Sequence, residues 1–140
     1  MEEFKGDLSK KILIVDDNRD SRELVVKVLK TAGYWTIEAV DGEEALEKAA
    51  VEKPDLILMD RSLPKIDGYE VTRRLKSLEE FKDIPIVALT AHAMRGDREK
   101  ALRAGCEGYI SKPINVRQLP EQILSYLEGK RESILGGEEE

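Results

Sequence analysis

Four short, unbroken apolar runs, each closed on its carboxyl side by polar or charged residues, constrain the fold of this chain most. Residues 12–15 (ILIV) end in Asp16 and Asp17, and residues 56–59 (LILM) end in Asp60. Residues 86–89 (IVAL) end in Thr90, and residues 108–110 (GYI) end in Ser111 and Lys112. Apolar runs without alternation suit strands covered on both faces, as in a parallel sheet. Residues 34–40 supply a fifth candidate strand, with Ile37 and Ala39 on one face.

Helical patterns fill the gaps. Leu24, Val25, Val28, Leu29 and Ala32 make one apolar stripe, stopped by Gly33. Ala45, Leu46, Ala49 and Ala50 make a second, halted before Pro54. Val71, Leu75 and Leu78 make a third, entered through Asp67 as cap and Gly68. Ala101, Leu102 and Ala104 make a weaker fourth ending at Gly105, and Leu119, Ile123, Leu124 and Leu127 make a fifth. Asn115 is the natural cap of the last helix, but Pro120 follows about one turn later, so that helix is expected to begin near Pro120 itself. Five strand-then-helix repeats with right-handed crossovers give a doubly wound α/β domain, a five-stranded parallel sheet with helices on both faces. The expected organisation is a tail over residues 1–9, one domain over 10–128, and a flexible acidic tail over 129–140.

Composition narrows the partners. Lys plus Arg total 23 against 29 Asp plus Glu, a formal net charge of -6. That balance argues against nucleic acid or an anionic membrane as the main partner. Cys106 and His92 are single, so neither an internal disulfide nor a His/Cys zinc site can form. Cys106, Met59 and Met94 read as core, and a cytoplasmic location is expected. No apolar run approaches the roughly 20 residues that span a bilayer.

Open α/β sheets bind ligands at the carboxyl ends of their strands. Asp16, Asp17, Asp60, Thr90 and Lys112 all stand there, far apart in sequence but converging in such a fold. Carboxylates held close together repel, and a hard divalent cation such as Mg²⁺ removes that cost. Lys112 and Thr90 offer donors suited to phosphoryl oxygens. A carboxylate left over can act as nucleophile and form an acyl phosphate. The residue types therefore fit phosphoryl transfer to an aspartate.

The segments ILIVDDN (12–18), DLILMDRSLPKIDG (55–68), IPIVALTAHAM (84–94) and GCEGYISKPI (105–114) resemble the receiver domains of two-component response regulators. Such domains occur in the chemotaxis regulator and in hybrid histidine kinases. The resemblance spans about residues 10–127 and implies a flavodoxin-like strand order 2-1-3-4-5. It implies that Asp60 accepts a phosphoryl group from a histidine kinase or histidine phosphotransfer protein, with Mg²⁺ (or Mn²⁺) bound. Asp17 corresponds to the direct metal ligand, Asp16 to one acting mostly through water, and Ser62 to a backbone-carbonyl ligand. Lys112 corresponds to the lysine that pairs with Asp60 and then with the phosphoryl group, and Thr90 to a switch hydroxyl. Tyr109 corresponds to an aromatic that turns inward with Thr90; plain packing at a sheet edge is the other use of such a ring. Lys112–Pro113 corresponds to a peptide bond usually cis in the family. Ser62 and His92 occupy positions that tune phosphoryl lifetime, and an exposed His92 without effect is the alternative. Output is expected through the face formed by the fourth helix, fifth strand and fifth helix. The domain is then no conventional enzyme, although it catalyses its own phosphorylation and dephosphorylation.

One position departs from the pattern. Arg61 follows Asp60 where the family more often has an apolar or aromatic residue. Strand alternation points it away from Asp60 as a solvent-exposed guanidinium, or else it contacts a partner kinase or an acidic surface group. Two other classes fit less well. An aspartate-nucleophile phosphatase of the haloacid dehalogenase type needs a second Asp two residues after the nucleophile, where this chain has Ser62. A phosphorylation-independent scaffold has no need of the acidic pair, Asp60 or Lys112, all of which are present.

Overall fold

A computed structural model describes residues 10–91 and 95–132. Strands β1 (Lys11–Val15), β2 (Trp35–Ala39), β3 (Leu56–Asp60), β4 (Ile86–Thr90) and β5 (Gly108–Ser111) alternate with helices α1 (Arg19–Thr31), α2 (Gly42–Glu52), α3 (Gly68–Lys76), α4 (Arg95–Ala104) and α5 (Leu119–Leu127). The sheet is parallel, in the order β2-β1-β3-β4-β5. The expected class and strand order are thus the observed ones.

The unbroken apolar runs behave as two-sided strands. Alternate residues of each feed two separate cores: Leu13, Val15, Ile57, Met59, Ile86 and Ala88 face one layer, and Ile12, Ile14, Leu56, Leu58, Val87 and Leu89 the other. Leu and Ile side chains buried this completely cost about 2–5 kcal/mol each to truncate. Edge strand β2 has a one-sided pattern, with Ile37 and Ala39 buried and Trp35 57 % exposed.

The helices follow the stripes with local corrections. In α1 the buried residues are Val25, Val26 and Leu29, while Leu24 lies outward. The expected stripe is otherwise kept, with Val25, Leu29 and Ala32 buried and Val28 packed against the same core; Val26 rather than Leu24 completes it. Ala50 is exposed. Leu78 falls beyond α3, which stops at Lys76, and is also exposed. Asn18, Asp41 and Asp67 cap α1, α2 and α3 by accepting from the backbone N–H three residues on. Asn115 accepts from the N–H groups of Arg117 and Gln118 and so caps a separate turn. Helix α5 then starts at Leu119 with Pro120 in its first turn, where the missing N–H is harmless.

The pole opposite the carboxyl strand ends holds a buried glutamate. Glu107 accepts from Ile86 N–H at 2.9 Å and pairs with Lys76 at 2.9 Å and Arg131 at 3.1 Å. Residues 129–132, at the start of the expected tail, pack here: Glu132 N–H donates to the Glu107 carbonyl. Cys106 and Met59 are core residues, as expected; Met94 lies outside the described residues.

Candidate functional site

Parallel strands all deliver their carboxyl ends to one edge. The register Val15↔Met59 and Asp60↔Leu89 brings the residues following β1 beside the end of β3, and Thr90↔Ser111 does the same for β4 and β5. A cleft of about 290 Å³ opens there, lined by Asp17, Asn18, Asp60, Arg61, Ser62, Thr90, Ala91 and Lys112.

Carboxylate oxygens of Asp16, Asp17 and Asp60 lie within 4.8 Å of one another. Their surroundings differ. Asp16 is fully buried: Oδ1 accepts from Asn18 N–H at 3.0 Å, and Oδ2 accepts from Ser21 Oγ at 2.8 Å. Asp17 is exposed at the mouth. Asp60 is 5 % exposed and accepts a long bond from Ser62 N–H at 3.4 Å. The Lys112 ammonium reaches both buried acids, 3.3 Å from Asp16 and 3.5 Å from Asp60. Burial pushes the Asp60 carboxyl up to about 6, and the Asp16 charge adds to the rise. Lys112 and the Ser62 N–H pull it part of the way back.

The backbone around Asp60 is tightly specified. A Cβ on Gly68 would collide with the Asp60 carbonyl, and Gly68 N–H donates to the Arg61 carbonyl at 3.0 Å. Gly68 is therefore a close-approach glycine that presses the start of α3 against the end of β3. The Lys112–Pro113 peptide bond is cis.

The other sequence candidates sit around this cleft. Thr90 is buried, and its hydroxyl donates to Asp97 Oδ2 at 3.4 Å. Ser62 is exposed on the cleft wall. Tyr109 is half-buried, and its hydroxyl accepts from Arg98 at 3.1 Å. His92 lies outside the described residues. Of the two uses expected for Arg61, the solvent-exposed guanidinium gives way to contact with an acidic group: Arg61 lines the cleft, its side chain is only 32 % exposed, and its guanidinium stands 3.4 Å from Asp97. Strand β3 ends at Asp60, so Arg61 already belongs to the following turn, and its guanidinium also lies over the Tyr69 ring at 5.7 Å. Asp97 and Ser21 also hold groups of the site, Thr90 and Asp16 respectively. Both are ordinary polar residues on helices, and no local pattern marks them.

Comparison with known proteins gives a consistent answer. The family profile of the response regulator receiver domain matches residues 12–124. The polar-differentiation response regulator DivK of Brucella ovis is 48 % identical over 120 residues, which is 86 % of this chain and 98 % of that protein. The receiver domain of sensor histidine kinase PA1611 from Pseudomonas aeruginosa PAO1, solved with magnesium coordinated in its active site cleft, superposes with a TM-score of 0.80. It is 36 % identical, covering 86 % of this chain and 98 % of that one. The chemotaxis response regulator CheY4 of Vibrio cholerae gives a TM-score of 0.80 at 31 % identity, covering 83 % of this chain and 97 % of its own. With the family profile matched over residues 12–124 and relatives up to 48 % identical across nearly their whole length, this chain belongs to the response regulator receiver domain family of two-component signalling.

Proposed function

We propose that this receiver domain is a phosphorylation-dependent switch in which Asp60 takes a phosphoryl group from a phosphohistidine of a histidine kinase or phosphotransfer protein. One observation carries the reading: three carboxylates within 4.8 Å of one another share an edge with the Lys112 ammonium and the Thr90 hydroxyl. In the transfer, the Asp60 carboxylate attacks phosphorus, the P–N bond to the histidine breaks, and the departing imidazole keeps the electron pair. A carboxyl with a pKa near 6 is largely ionised at neutral pH and is available as nucleophile. Lys112 supplies a positive charge to the phosphoryl oxygens, and Thr90 a hydroxyl donor.

The donor set also fits a hard divalent cation. Clustered carboxylate oxygens with water access suit Mg²⁺, or Mn²⁺, and no soft ligand is among them. Asp16, Asp17, Asp60 and the Ser62 carbonyl would hold it. When bound, Mg²⁺ neutralises the clustered acids and the phosphoryl oxygens. Asp16 already spends Oδ1 on Asn18 N–H and Oδ2 on Ser21, which supports the more indirect role for Asp16 and the direct one for exposed Asp17.

Phosphorylation is read out by protein partners through the α4-β5-α5 face, with Thr90 and Tyr109 as the moving groups. Ser62 and His92 set how long the phosphoryl group survives. The net charge of -6 supports a protein partner over nucleic acid or an anionic membrane, and a single cysteine fits a reducing cytoplasm. Incubation with acetyl phosphate and Mg²⁺ should add one phosphoryl group to the wild type and none to Asp60→Asn. Labelling that persists in Asp60→Asn would overturn the assignment.

A further inference from the structure

We propose that Arg61 is a positioning residue: through Asp97 it ties the Thr90 hydroxyl to α4, and so sets how readily the switch moves. The proposal rests on the reading of Asp60 as phosphoacceptor and Thr90 as the mobile hydroxyl.

Asp97 lies in the first turn of α4, and its side chain is 9 % exposed. Both carboxylate oxygens are engaged. Oδ1 faces the Arg61 guanidinium at 3.4 Å, and Oδ2 accepts from Thr90 Oγ1 at 3.4 Å. The Asp97 carbonyl accepts from the Tyr69 hydroxyl at 3.3 Å. The Arg61 guanidinium in turn lies 5.7 Å from the centre of the Tyr69 ring, so α3 steadies the arginine that steadies α4. Residue 98 makes a parallel contact, because Arg98 donates to the Tyr109 hydroxyl at 3.1 Å and stacks over its ring at 5.3 Å. Adjacent residues of α4 therefore grip both Thr90 and Tyr109, and Arg61 fixes the first of the two.

The physical consequence has a sign. Thr90 must release Asp97 before its hydroxyl can serve a phosphoryl group on Asp60. A largely buried carboxylate keeps its geometry while a cation faces it; without one, desolvation drives it toward water. Removing the Arg61 charge lets Asp97 swing to the open cleft, loosens Thr90 and raises the population of the active arrangement. A ligand that prefers that arrangement then binds more tightly.

The test uses beryllofluoride with Mg²⁺ as phosphoryl mimic on the full chain. Arg61→Gln, Asp97→Ala and the double variant are compared with wild type, with thermal melts confirming that each folds. Arg61→Gln should bind the mimic about five-fold more tightly, the ratio expected when one hydrogen bond of the resting state is lost. Asp97→Ala should also bind more tightly, and the double variant should add nothing to it, since both changes act on one link. In unliganded Arg61→Gln the Thr90 methyl resonance should shift toward its position in the mimic-bound wild type, which general destabilisation would not produce. Unchanged or weaker binding by Arg61→Gln, additive effects in the double variant, or an unmoved Thr90 resonance would overturn the role of Arg61. A wild type that fails to take the mimic would instead overturn the phosphoacceptor reading, and this proposal with it.

Discussion

Lys112 Nζ lies 3.3 Å from Asp16 Oδ2 and is also 3.5 Å from Asp60, so one ammonium serves two buried acids. Burial is the main reason the Asp60 carboxyl sits near 6, and Lys112 limits the rise. Lys112→Met should therefore move the Asp60 titration above that value in metal-free protein, as read from its side-chain carboxyl carbon by NMR. The same variant should slow phosphorylation by acetyl phosphate on the order of 100-fold, the usual consequence of losing a charge-stabilising donor.

Asp60 also links stability to pH. An acid whose pKa rises on folding holds its proton more tightly in the native state. The stability this confers is complete below the unfolded value of about 4 and is lost as pH climbs through about 6. At pH 8 the ionised carboxylate opposes folding, and Asp60→Asn should stabilise the metal-free protein by about 3 kcal/mol. At pH 4 the gain should vanish. Urea unfolding in the presence of a chelator at the two pH values measures the difference, and equal gains at both would contradict it.

Gly68 has no room for a side chain. The Cβ of Gly68→Ala would meet the Asp60 carbonyl, so either α3 or the end of β3 must move. Overpacking of this kind costs about 1–3 kcal/mol. Denaturant unfolding should show that loss, and residual phosphorylation should fall as well, because the displaced backbone carries Asp60.

Ser62 is small and exposed on the wall of the cleft. Ser62→Met should narrow the approach of water to the phosphoryl group and lengthen its lifetime several-fold, on the order of one hydrogen-bonded water excluded. Decay of phosphorylated protein followed after removal of the donor gives the rate. A lifetime equal to wild type would show that the side chain does not border the path of water.

Asp67 caps α3 by accepting from Glu70 N–H at 3.0 Å. Asp67→Ala should lower stability by about 1 kcal/mol. Thermal unfolding of the variant checks this, and the site chemistry should survive because Gly68 is retained.

The apolar runs by themselves determined the layered α/β fold, since a strand apolar on both sides has to be covered on both sides. They also determined where Asp16, Asp17, Asp60, Thr90 and Lys112 stand, because parallel strands share one carboxyl edge. Caps such as Asp67 were legible for the same reason, as their partners lie three residues away. What tertiary structure alone decided are contacts between elements. The sequence gives no sign that Asp97 would meet Arg61, that Ser21 would hold Asp16, or that Arg98 would hold Tyr109. Each depends on the angle and depth at which a helix packs on the sheet, which side-chain packing across both cores sets and local propensity does not. The choice between Leu24 and Val26 on the buried edge of α1 was settled in the same way, by which of the two could reach the core.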